Sequence, residues 1–130
     1  METKTDIKSR ADVEKLVISF YEKVKKDETI GIIFNDIMKV NWDHHIPVIV
    51  DFWDSVLLDA DVYHKNAMEP HFHINKIFPL HREHFDAWLA LFVQTVDENY
   101  EGPVAKLAKT RAKGIAGIMQ LKMDAINNIK

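Results

Sequence analysis

The chain has no cysteine, and only four glycines and four prolines among its 130 residues. Without cysteine there are no thiolate metal sites, disulfide staples or cysteine nucleophiles, and the composition fits a reducing compartment. So little turn-forming material, set against 47% hydrophobic residues, leaves a sheet protein poorly supplied and favours helices. An excess of positive charge is also missing. The net charge of -3 argues against nucleic acid as the main partner, because clustered cations supply most affinity for phosphates. No apolar run approaches the ~20 residues of a bilayer span, and the opening METKTDIKSR has no apolar signal core. We therefore expect a cytoplasmic, membrane-free chain folding as one domain over residues 1–130, long enough to bury about two-thirds of its unfolded surface.

What is present is helical periodicity. Val13, Leu16, Val17, Phe20, Tyr21 and Val24 recur at i, i+3, i+4, the stripe of a helix with one buried face, opened by a capping-box-like Ser9 and Asp12. Residues 1–8 are polar and are expected to fray. The segment IGIIFND, residues 30–36, is too apolar for an exposed loop and reads as a short helical turn packed inward. A second long helix follows from NWDHHIPVIVDFWDSVLL, with Pro47 expected in its first turn and a core stripe of Ile46, Ile49, Phe52, Trp53 and Val56. His45 lies one turn before Ile49 on the same side.

Periodicity disappears from Asp59 to Pro70, which reads as a mobile connection. After it, PHFHINKIFPLHREHFDAWLALF carries two loop histidines, a Phe78-Pro79 break and a helix whose inward stripe is Phe85, Trp88, Leu89 and Phe92. That helix is expected to stop at Gly102 in a left-handed cap. A last helix begins at Pro103 with a face of Val104, Leu107, Ala108, Ile115, Ile118, Met119 and Ile126. Gly114 and Gly117 interrupt it, at a cost of about 1 kcal/mol each relative to alanine, so a closely approaching backbone or ligand is expected there.

Seven histidines are many for this length, yet the familiar metal and nucleophile patterns fail. There is no H-E-x-x-H for a zinc hydrolase, and no glutamate has a histidine three residues later, as a di-iron bundle needs. Ser9, Ser19 and Ser55 lack a glycine-flanked elbow, and there is no phosphate-cradling glycine loop. Taken singly, His73 reads as a surface or capping histidine, His71, His81 and His84 as solvent-exposed, and Tyr21, Phe34, Trp53 and Trp88 as core. The basic run from Lys106 to Lys113 reads as a solvated helix face.

Taken together, FYEKV (20–24), IIFND (32–36), WDHH (42–45), Phe52-Trp53 and HFDAWLALF (84–92) resemble the group III truncated haemoglobins. The likeness runs from about Val13 to Met123. It implies an all-α, truncated globin-like helical sandwich around a haem b pocket. By position, His73 is similar to the proximal iron ligand. The segment between it and HF-x-x-WL is about one residue longer than in some relatives, which keeps His71 as runner-up. Tyr21, Trp88 and His45 match distal residues that stabilise a bound diatomic ligand. Phe34, Ile49, Phe52, Trp53, Phe78, Phe85 and Trp88 match the cofactor-binding wall. The resemblance leaves open whether His45 gates the pocket or ligates the iron itself, and whether Lys76 and Arg82 pair with propionates or are solvated surface charges.

A neutral imidazole is a good iron ligand, and leaving the opposite side open admits a diatomic gas. A phenol O–H and an indole N–H aimed at that gas stabilise charge that the free molecule lacks, each by ~1.5 to 3 kcal/mol. Slow release then suits redox chemistry with nitric oxide, oxygen or peroxide, such as a nitric oxide dioxygenase or peroxidase-like activity fed by an external reductase. An oxygen reservoir or gas sensor is the second reading, and a haem-free helical interaction module the third.

Overall fold

The computed structural model describes residues 4–33, 35, 42–58 and 80–127, apart from the His44 side chain. Its four long helices are α1 (Arg10–Lys26), α2 (Trp42–Leu58), α3 (Arg82–Asn99) and α4 (Pro103–Asn127). α1 packs between α2 and α3, while α4 covers α3 and touches α2. Among the described residues no helix is long and apolar enough to cross a membrane.

In α1 the six apolar positions of the periodic stripe are the six that are buried. Ser9 caps the helix by accepting the Asp12 N–H at 3.4 Å. The Asp12 carboxylate reaches back one residue further than a capping box would, accepting the Lys8 N–H at 2.9 Å. After α1 the chain turns again at 31–33, burying Ile30 and Ile33 and leaving Ile32 45% exposed. Gly31 has to be small there: a Cβ would stand 3.1 Å from the Val24 carbonyl oxygen. The remainder of this inward turn, including Phe34 and Ile37, lies outside the described residues.

α2 differs from its expected register in two ways. It begins at Trp42, so Pro47 sits in the second turn and the Asp43 carbonyl cannot receive an N–H from residue 47. Its buried stripe is Val50, Trp53, Asp54 and Leu57, while Ile46, Ile49, Phe52 and Val56 are only half-buried. The buried Asp54 and its neighbour Asp51 both accept from Arg10, at 3.1 and 2.6 Å, tying the start of α1 to the middle of α2.

Residues 4–8 do not fray. Ile7 is 1% exposed in the core, Thr5 accepts the Glu101 N–H at 3.0 Å, and the Asp6 carboxylate accepts the N–H groups of Val104 and Ala105 at 2.9 and 2.8 Å. Asp6 thus caps α4 from 98 residues away, a role usually local and worth about 1 kcal/mol. Burial alone would raise its pKa, but the N–H donors of Val104, Ala105 and Ile7, with the Lys8 charge, hold it below the ordinary carboxylate value. Gly102 serves this cap rather than the end of α3, which finishes at an extended Tyr100. With φ at +145°, Gly102 leaves room that a Cβ would fill at 2.6 Å from the Asp6 carboxyl carbon.

α4 buries Ala105, Ala108, Ala112, Ala116, Met119 and Met123. Ile118 and Ile126, expected inside, are 56% and 43% exposed. Among the described residues no other backbone approaches Gly114 or Gly117: a Cβ built on either would meet nothing within 4 Å. Short alanines instead let α4 approach its partners. Along the basic run, Lys109 pairs with Asp97 at 2.6 Å while Lys106, Arg111 and Lys113 are exposed, the solvated face expected.

At the head of α3, His84 is buried rather than solvent-exposed as expected, and its Nδ1 accepts the His81 N–H at 2.8 Å. Burial lowers its pKa below the ordinary value of 6.5; Glu83 opposes the shift and His81 adds to it. A protonated Nδ1 cannot accept this bond. Because the folded state binds fewer protons here than the unfolded one, the stabilisation is full above about pH 6.5 and is lost as pH falls through the lowered folded value. His84→Gln keeps an acceptor that does not titrate. It is expected to flatten the decline of thermal midpoint between about pH 7 and 5, a cap being worth about 1 kcal/mol; an unchanged slope would remove His84 from that decline.

Candidate functional site

Phe20 and Tyr21 lie side by side in the middle of α1, at 2% and 5% exposure. From them spreads a continuous set of rings. Tyr21 stands 5.1 Å from Trp42 and 5.5 Å from His45, and Trp42 is 5.8 Å from His45, so these three rings form a closed triangle. Phe20 meets Tyr21 at 4.9 Å, Trp88 at 5.7 Å and Phe92 at 5.3 Å, each edge-on. Phe92 in turn stacks on Trp53 at 4.7 Å and on Trp88 at 5.6 Å, and Phe52 abuts Trp53 at 5.3 Å. Edge-on and offset pairs of this kind are attractive beyond the area they bury.

The fold therefore brings Tyr21 and His45 into direct contact and links them to Trp88 through Phe20. Ile49 follows His45 by one turn and is half-buried, as are Phe52 and Trp88. Trp53 and Phe85, at 3% and 8% exposure, belong to the core behind them. Arg82 is exposed and lies 3.5 Å from Asp86, an ordinary surface pair. His73, His71, Phe34, Phe78 and Lys76 lie outside the described residues.

Burial pushes the Tyr21 phenol well above its ordinary pKa. Tyr21 thus keeps its proton throughout the neutral range and can donate. The fit of a flat apolar group rests on α2: Ile46, Ile49, Phe52 and Val56 are as apolar as the stripe beside them, yet the fold leaves them half-buried. Trp88 and Leu89 on α3 are half-buried likewise, so both helices carry apolar side chains that the fold covers only in part. A surface cleft of about 460 Å³ lined by Lys4, Asp97, Glu101 and Lys109 shares no residue with this region.

Neither Trp42, the first letter of the WDHH string, nor Lys25 is assigned a site role by the resemblance. Trp42 precedes His45 by three residues and Lys25 follows Tyr21 by four, so helical spacing alone places each on its partner's face. The ammonium of Lys25 lies 4.7 Å above the Trp42 ring.

No family model matches the chain. Among curated proteins it is 30% identical over 115 residues to the group 3 truncated hemoglobin ctb of Campylobacter jejuni, covering 86% of this chain and 88% of that protein. Among solved structures, the crystal structure of a group III truncated hemoglobin from Campylobacter jejuni matches with a TM-score of 0.81 at 30% identity, covering 93% of this chain and 95% of that one.

Proposed function

Because this chain belongs to the group III truncated haemoglobins, we propose that it binds haem b through His73 and handles dioxygen, nitric oxide or peroxide between Tyr21, His45 and Trp88. The observation that carries this reading is the placement of a protonated, buried phenol against His45, beside an apolar surface left half-covered on α2. When bound, haem b would supply an iron able to take a diatomic ligand. Ile49, Phe52 and Trp88 would shield the group from water, with Trp53 and Phe85 packed behind them; Phe34 and Phe78, assigned to the same wall by the family resemblance, lie outside the described residues. Tyr21 holds its proton at Oη and offers it as a hydrogen bond; Trp88 has an indole N–H for the same purpose. In an apolar, water-poor site such donors act more strongly than in water.

Two donors favour a slowly released ligand, which suits turnover at the iron better than delivery. The activity that follows is conversion of nitric oxide with oxygen, or a peroxidase-like reaction, in the cytoplasm. Sustained turnover needs electrons, which we assign to an external reductase. The haem-loaded protein, supplied under air with a reductase and its nicotinamide, is expected to consume successive additions of nitric oxide over many turnovers. A single stoichiometric turnover would instead assign the protein to storage or sensing.

A further inference from the structure

Trp42 sits where a weak turn of helix meets a rigid one. It is the first residue of α2, and the turn that it opens carries His45. Pro47 removes the N–H that would bind the Asp43 carbonyl, so this turn is joined to the rest of α2 by one hydrogen bond fewer than an ordinary helix start. Side-chain contacts to α1 are then needed to fix where the turn lies. Trp42 makes them on two levels. Its ring meets Tyr21 at 5.1 Å, and one turn further along α1 the Lys25 ammonium lies over it at 4.7 Å.

Lys25 is itself held. Its Nζ is 3.2 Å from Glu22 Oε1, and its backbone carbonyl accepts the Asn35 side-chain N–H at 2.9 Å. An indole is the best of the aromatic faces for a cation such as a lysine ammonium, and half-burial of the ring limits competition from water. The third side of the contact is internal to the turn, since Trp42 and His45 stand 5.8 Å apart, ring edge against ring face.

We infer that Trp42 and Lys25 are positioning residues that pin the first turn of α2 to α1, setting the place of His45 relative to Tyr21 and with it the ease of ligand entry and escape. The inference rests on the proposed haem function for its consequence, but the pin itself belongs to the chain alone. Freed of the pin, His45 keeps its place in sequence and loses its place against Tyr21. The two groups would then cease to present a common surface to a ligand.

The test has two readouts. Amide hydrogen exchange, followed on the protein as purified, is expected to speed at residues 46 and 48, whose N–H groups are the first bonded within α2, by about tenfold or more in Trp42→Ala and by less in Lys25→Met, with α3 unchanged. The methionine keeps the aliphatic stem and removes only the charge. Should Trp42→Ala not fold, Trp42→Phe, which retains a ring but weakens the cation contact, is expected to fall between Lys25→Met and the wild type or match Lys25→Met. In haem-loaded variants with an unaltered Soret band, carbon monoxide association is expected to accelerate several-fold in the same order. Unchanged exchange in both Lys25→Met and Trp42→Phe would overturn the pin, and so would exchange that quickens equally in α3. A wild-type protein that takes up no haem would defeat the functional reading and leave the exchange result to decide the pin.

Discussion

Replacing His73 by alanine is expected to abolish stable haem retention, and replacing His71 to leave it intact. In the proposed site a bond from His73 to iron would be the strong, directional hold on the cofactor, whereas apolar contact with the pocket wall would slide and exchange readily. Gel filtration after haem addition should therefore strip the cofactor from His73→Ala while His71→Ala elutes coloured. Free imidazole added to His73→Ala is expected to restore the band, because it replaces the lost ligand without needing the backbone. The opposite pattern, loss in His71→Ala alone, would move the ligand two residues toward the N-terminus. Such an outcome would also mean that the longer segment before HF-x-x-WL shifts the register of the whole proximal loop.

The second large effect is expected from Tyr21→Phe. The ring of Tyr21 is built into the wall between Phe20, Trp42 and His45, and phenylalanine preserves that packing while deleting one O–H. Burial raises the phenol pKa, so the group lost is a neutral donor throughout the neutral range. A donor to a ligand that gains negative charge is worth ~1.5 to 3 kcal/mol, or roughly a ten- to hundredfold faster release of oxygen. Stopped-flow measurement of oxygen dissociation gives this directly. A rate equal to the wild type would exclude Tyr21 from the ligand's hydrogen bonds and leave Trp88 and His45 as donors.

How much of this could be read from residues alone differs from helix to helix. α1 was fully legible, because one face is apolar, the other charged, and its cap is local. α2 was legible as a helix but not in its rotation. It carries two adjacent apolar stripes, and only packing decides that Val50, Trp53 and Leu57 go inside while Ile46, Ile49 and Val56 border the site. In α4 the buried side is made mostly of alanines, which a hydrophobicity pattern underweights beside Ile118 and Ile126. Close helix packing rewards small residues over large ones there. Long-range caps escape local reading altogether: Asp6 serves α4 across almost the whole chain, so a polar tail that looks free is docked.

The same division applies to the site. Tyr21, His45 and Trp88 were identified through a family pattern, and their proximity is a product of helix packing that no spacing within one helix encodes. In sequence Trp42 is one letter of the WDHH string and shows no partner. Its meaning lies in Lys25, 17 positions away in sequence and 4.7 Å away in space. His84 looks like a surface group in sequence, because capping by a histidine leaves no local signature as clear as serine or glutamate does.

Titrating the purified protein with haem while recording its absorption spectrum tests the central claim most directly. A saturable Soret band is expected at one haem per chain, sharpening on reduction and shifting when carbon monoxide is added. A spectrum that remains that of free haem at every ratio would contradict the account and leave the ring cluster of α1, α2 and α3 as the core of a helical module without a cofactor.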